Sequence, residues 1–175
     1  MKSNFIGKSL MIFIIITIVL SLAGCSNSDD SGNDEVDWTR GIYCEVTQEF
    51  LRLGMTRDEV EQILGEGEVV DQQEESYIIL YQGGNLRVVC HEDRATMIEI
   101  LGEGFLVFGL SYGSSVQEML DTLGEPCMVF YGRDRVSGDE DLYGYDNLDD
   151  FNMGITFIVD SEEGYVISIV AHERL

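Results

Sequence analysis

Residues 54–65 read GMTRDEVEQILG, and residues 113–124 read GSSVQEMLDTLG. Set one above the other, Gly54 meets Gly113, Thr56 meets Ser115, Glu59 meets Glu118, Leu64 meets Leu123 and Gly65 meets Gly124. In both stretches a hydroxyl residue is followed three positions later by Glu. That is the capping-box spacing, in which the hydroxyl accepts from a free N–H of the first turn and the carboxylate reaches back to the cap's own N–H. The trailing glycine ends each helix. Val116, Met119, Leu120 and Leu123 fall on one helical face, and Val60, Ile63 and Leu64 form a shorter stripe in the first stretch. Two short helices are predicted, one in each half of the chain.

Strand-like runs follow both helices in similar order. After the first come EVV (68–70), YIILY (77–81), LRVVCH (86–91) and TMIEIL (96–101), with QGGN (82–85) as a hairpin signal. After the second come CMVFY (127–131), LYGYD (142–146), MGITFIV (153–159) and YVISIVAH (165–172), with DSEEG (160–164) as a turn. No helix separates the strands, so antiparallel meanders are expected. TQEFLRL (47–53) reads as an extra helical turn, and FLVFGLSY (105–112) reads as extended chain. The expected fold class is α+β, with two tandem repeats at 38–102 and 103–175. Each would be one or two short helices packed on an antiparallel sheet of about four strands.

The N-terminus is read separately. Lys2 and Lys8 precede the apolar run LMIFIIITIVL, which closes on the small residues SLAGC. This is the pattern of a secretory signal. Leu22-Ala23-Gly24-Cys25 resembles the lipobox of bacterial lipoproteins, which implies a signal peptide over 1–24 and a lipidated Cys25 on the extracytoplasmic face of a membrane. An uncleaved transmembrane anchor is the alternative, although the run is shorter than the ~20 residues a spanning helix needs. The segment 25–37 is rich in Ser, Asn, Asp and Gly and reads as a flexible acidic tether. Loss of residues 1–24 removes two lysines and no acid, so the formal charge of −23 becomes −25. That balance disfavours nucleic acid and anionic lipid surfaces as partners, whereas a basic protein patch or divalent cations suit it.

LRLGMTRDEVEQILGE (51–66) resembles the G-M-T-x-x-x-V-x-x-x-L-G signature of the tandem-repeat β-lactamase inhibitor protein, and of the small lipoprotein of the outer-membrane β-barrel assembly machinery. Gly54, Met55, Thr56, Val60, Leu64 and Gly65 carry the match; the second stretch keeps the helix and the LGEP ending but lacks G-M-T. The resemblance implies a helix-on-antiparallel-sheet fold and a protein-binding module, inhibitor-like or an envelope-assembly factor, without catalysis or cofactor. A Ca²⁺-dependent or purely structural surface lipoprotein is the alternative.

Chemistry-bearing residues are few. GLSYG (109–113) fits the nucleophile-elbow pattern, with His172 as the one downstream histidine for Ser111. The comparison of 54–65 with 113–124 gives Gly113 a different task, the approach to a capped helix, and makes Ser111 an ordinary turn residue. The acidic loop 132–150 lies beside Tyr131, Tyr143 and Tyr145, a candidate partner-binding set, and contains no Ca²⁺-loop spacing. Cys44 and Cys90 form the candidate disulfide, with free thiols as the alternative for both and for Cys127. No metal site is expected, because the cysteines lack C-x-x-C spacing and His91 has no second histidine near it.

Overall fold

The computed structural model describes residues 37, 40–132, 139–146 and 153–173, which fall in one compact unit. Both twelve-residue stretches are helical where their spacing predicts. Helix α1 spans Arg57–Leu64 and α2 spans Val116–Leu123. Thr56 Oγ1 accepts from the Glu59 N–H at 3.3 Å, while the Glu59 carboxylate accepts from the Thr56 N–H at 2.8 Å. Ser115 and Glu118 repeat this at 3.2 and 2.8 Å. The backbone N–H bonds from the cap residues hold both carboxyls below the usual carboxylate value. Each helix stops at a glycine with positive φ, +82° at Gly65 and +74° at Gly124, a conformation that a side chain would disfavour.

Among the described residues eleven strands accompany the helices: β1 Ile42–Cys44, β2 Glu49–Leu51, β3 Glu68–Gln73, β4 Ser76–Tyr81, β5 Leu86–His91, β6 Arg94–Ile100, β7 Phe105–Leu106, β8 Met128–Phe130, β9 Glu140–Tyr145, β10 Gly154–Asp160 and β11 Val166–His172. Eight of them form a single antiparallel sheet in the order β3-β4-β5-β6-β11-β10-β9-β8. The centre of this sheet is a seam between β6 and β11, where Met97, Ile98, Glu99 and Ile100 pair with His172, Ala171, Val170 and Ile169. The remaining three strands make a second sheet, β2-β1-β7.

This architecture corrects the expected α+β pair of repeats. The protein is mainly β. The two groups of four strands are not separate layers under their own helices, because the β6–β11 seam fuses them into one sheet. Nor is TQEFLRL helical: β2 pairs with β1, Ile42 opposite Leu51 and Tyr43 opposite Phe50. The reason is aromatic and apolar packing that a single helical turn could not supply. Tyr43 and Phe50 have ring centroids 5.2 Å apart, the Arg40 guanidinium lies 4.5 Å from the Phe50 centroid, and Ile42 and Leu51 are fully enclosed.

One face of the large sheet is core. Ile79, Val88, Ile98, Ile155, Phe157 and Ile169 are all enclosed on it, together with Val60 of α1, Met119 of α2, and Ile42, Leu51 and Phe105 of the small sheet. Gly67 lets the chain leaving α1 lie against this face, since a Cβ there would stand 2.4 Å from Ile79 and 2.5 Å from Tyr81. The Tyr145 hydroxyl donates to the Gly124 carbonyl at 3.0 Å and ties the end of α2 to β9.

Candidate functional site

Successive residues of a strand face opposite sides of a sheet, so every second residue of the eight strands belongs to the other face. Register puts these residues in rows. One row crosses all eight strands: Glu68, Leu80, Arg87, Glu99, Val170, Thr156, Gly144, Met128. A second runs Asp71, Ile78, Val89, Met97, His172, Gly154. A third runs Ser168, Ile158, Leu142, Phe130. Leu80, Ile78, Val89, Met97, Val170, Ile158 and Leu142 are half-buried, and Met128 and Phe130 are exposed. Both helices and the small sheet lie on the opposite side, so among the described residues this face is open. Its aliphatic residues surround a polar centre.

A polar group sits in the middle. Glu99 is only 6% exposed. One carboxylate oxygen accepts from Ser168 Oγ at 3.1 Å, and the other meets the Arg87 guanidinium in an ion pair across the β5–β6 register. A buried carboxylate without such partners would be strongly destabilising. Arg87 Nε, enclosed by the same packing, has no acceptor. Nearby, the His172 ring lies over Gly154, where a Cβ would stand 2.4 Å from ring Cε1 and 2.3 Å from an Asp146 carboxylate oxygen. His172 Nδ1 is 2.9 Å from the Glu173 carbonyl, and Nε2 is 3.5 Å from Thr156 Oγ1.

The residues singled out in the sequence end up elsewhere. Ser111 Oγ donates to the Tyr112 carbonyl at 3.1 Å, and the Ser111 N–H donates to Ser114 Oγ. His172 is engaged by Thr156 and Glu173, so no Ser–His contact joins the two among the described residues. The Gly113 N–H donates to Val166 O at 2.8 Å and docks the start of α2 on β11. Tyr131, Tyr143 and Tyr145 do not form one surface. Tyr145 is fully buried on the core face, edge-on to Phe157 with centroids 5.8 Å apart; burial pushes its phenol up to about 12. Tyr143 shares that face and is half-buried, while Tyr131 is 40% exposed beyond β8. Of the acidic loop, residues 133–138 and 147–150 lie outside the described residues; Asp141 accepts from the Gly132 N–H at 2.8 Å.

Cys44 and Cys90 are separate buried thiols in place of the expected disulfide. Each occupies its own environment: Gln82 Nε2 donates to the Cys44 sulfur at 3.6 Å, and burial pushes the Cys90 thiol up, opposed by a bond with Tyr77. Cys127 is an exposed free thiol. Cys25, the expected lipidation site, lies outside the described residues.

One grouping escaped the sequence reading. Glu75, His91 and Glu92 are exposed, with one ligating atom from each within 4.8 Å of the others. Ser76 pairs with His91 across β4 and β5, and the Glu92 N–H donates to the Glu75 carbonyl, which brings two hairpin ends together. Two carboxylates and an imidazole are donors a divalent cation accepts. The only sequence signal is the acid at each hairpin end; the register that joins them is not visible locally.

No family model matches the chain, and no curated protein matches it. Two solved structures do. One is a DUF4309 family protein from Bacillus subtilis, 19% identical, with a TM-score of 0.47, covering 67% of this chain and 78% of that one. The other is an extracellular protein containing an SCP domain from Bacillus anthracis, 7% identical, with a TM-score of 0.50, covering 69% of this chain and 44% of that one. At this identity the second likeness is one of fold alone, and it spans less than half of that protein. Neither is the inhibitor or the assembly lipoprotein suggested by residues 51–66.

Proposed function

We propose that this chain is an extracytoplasmic lipoprotein, anchored through Cys25, that binds another envelope or secreted protein through the open face of its eight-stranded sheet. One observation carries the reading: half-buried Leu80, Ile78, Val89, Met97, Val170, Ile158 and Leu142 and exposed Met128 and Phe130 share a sheet face that no described element covers. Contiguous apolar surface of this kind marks interaction sites in soluble proteins. The lack of a Ser–His pair argues against the hydrolase alternative at Ser111. The lipobox-like LAGC supports the anchor, and the acidic tether gives the domain reach.

Two experiments test the two halves. Labelled palmitate should enter the wild-type chain and not Cys25→Ser; equal labelling would remove the anchor. Cross-linking of the full chain in envelope preparations should recover a protein partner that Val170→Asp loses. Recovery of nothing above background would sink the binding reading.

A further inference from the structure

The open face is acidic along its perimeter and holds a compensated ion pair at its centre. Glu68 and Asp71 stand exposed along the β3 edge, Glu75 and Glu92 at the hairpin ends, and Glu140 at the start of β9. At the centre is the Arg87–Glu99 ion pair, with the guanidinium its exposed partner. The Arg87 side chain, flanked in its row by Leu80 and by Glu99, pairs with the Glu99 carboxylate and is 39% exposed.

We infer that the partner surface is apolar in its middle, carries one hydrogen-bond acceptor there for the Arg87 guanidinium, and is ringed by lysine or arginine. This rests on the protein-binding reading above. Charge selects among occupants of the face. With a formal charge of −23 over the chain, a second copy would bring acid against acid, and an anionic bilayer would do the same. A basic rim reverses that sign and speeds encounter, with a contribution that salt screens. At the centre, covering Arg87 with apolar groups alone would strip water from guanidinium N–H groups without replacement, which is costly. A carboxylate or carbonyl placed there removes the cost and favours a partner that offers one over a partner that does not. Arg87 is therefore the specificity-determining residue of the face.

A random peptide library displayed on phage tests this. It is panned against the full chain in zwitterionic nanodiscs after depletion on empty nanodiscs. Enriched peptides should combine Lys or Arg with large apolar residues. Their affinity should fall about tenfold or more on Arg87→Met and on Val170→Asp. Both substitutions make the protein more negative, so unspecific attraction to an acidic chain would hold or strengthen on them. Basic peptides that bind both variants as tightly as wild type would overturn the inference, and so would enrichment of acidic or neutral peptides. Thermal melts establish that each variant is folded, and Leu142→Asp on β9 substitutes for Val170→Asp should that one unfold. A dimer of the full chain in sedimentation, dispersed by either face variant, would give the face to a second copy and overturn the inference. Failure here with a cross-linked partner still recovered would remove the partner's chemistry and leave the protein-binding reading standing.

Discussion

Phe157 and Ile158 are consecutive residues of β10. Phe157 is enclosed edge-on against Tyr145, under the helices and the small sheet; Ile158 looks the other way, half-buried between Ser168 and Leu142. The same alternation holds along β4 and β5. One face has its covering layers from the chain itself, and the other mixes aliphatic residues with a polar centre and has no cover among the described residues. Apolar residues in both parities of a strand ordinarily mean burial on both sides. Here the second side has no cover among the described residues.

Chemical denaturation can break this comparison directly. Phe157→Ala should lose about 3–5 kcal/mol, because it opens a cavity in the core. Ile158→Ala, one residue on, should lose about 1 kcal/mol or less. Equal losses would mean that both faces are packed interiors. Glu99→Gln comes next, at about 1–2 kcal/mol, since the exposed part of Arg87 keeps some hydration. Adding Arg87→Met to it should recover part of the loss; strict additivity would mean the pair is uncoupled.

Thr56→Ala and Ser115→Ala should each cost about 1 kcal/mol, measured by the same titration. They should also flatten the acid limb of stability. Glu59 and Glu118 have folded pKa values below the ordinary 4.5, so what they contribute is present above 4.5 and lost as pH falls through the folded values. A cap variant with an unchanged acid limb would contradict this origin. Met128→Ser, at the margin of the open face, should stay within about 0.5 kcal/mol of wild type. A larger loss would show that the margin is packed after all.

The helices were legible because their signals are local. A cap, its Glu three residues on, an apolar stripe and a glycine stop lie within twelve positions. Most strands were legible for the same reason, and LRVVCH matches β5 end to end. The sheet as a whole was not. Nothing near TMIEIL or YVISIVAH says that they pair with each other, and without that seam the chain reads as two small layers. β1 and β2 were missed because Phe50, Leu51 and Leu53 fit a helical turn as well as a strand when Tyr43 is out of view. The site fared worse. Tyrosines beside acids suggested a surface, yet Tyr145 belongs to the core. Arg87 and Ser168 meet only through Glu99 and the register of three strands.

The seam also sets an order of events. Ser168 and Glu99 are separated by 69 residues, whereas the hairpins on either side close over short turns. Long loops are slower to close than short ones and cost more chain entropy. Each half should therefore gain its hairpins early, and the β6–β11 ladder should gain protection from hydrogen exchange last, which pulse labelling during refolding would resolve. Until that ladder forms, β6 and β11 each present an unpaired strand edge. The interval before closure is when this protein is most exposed to pairing with the wrong chain.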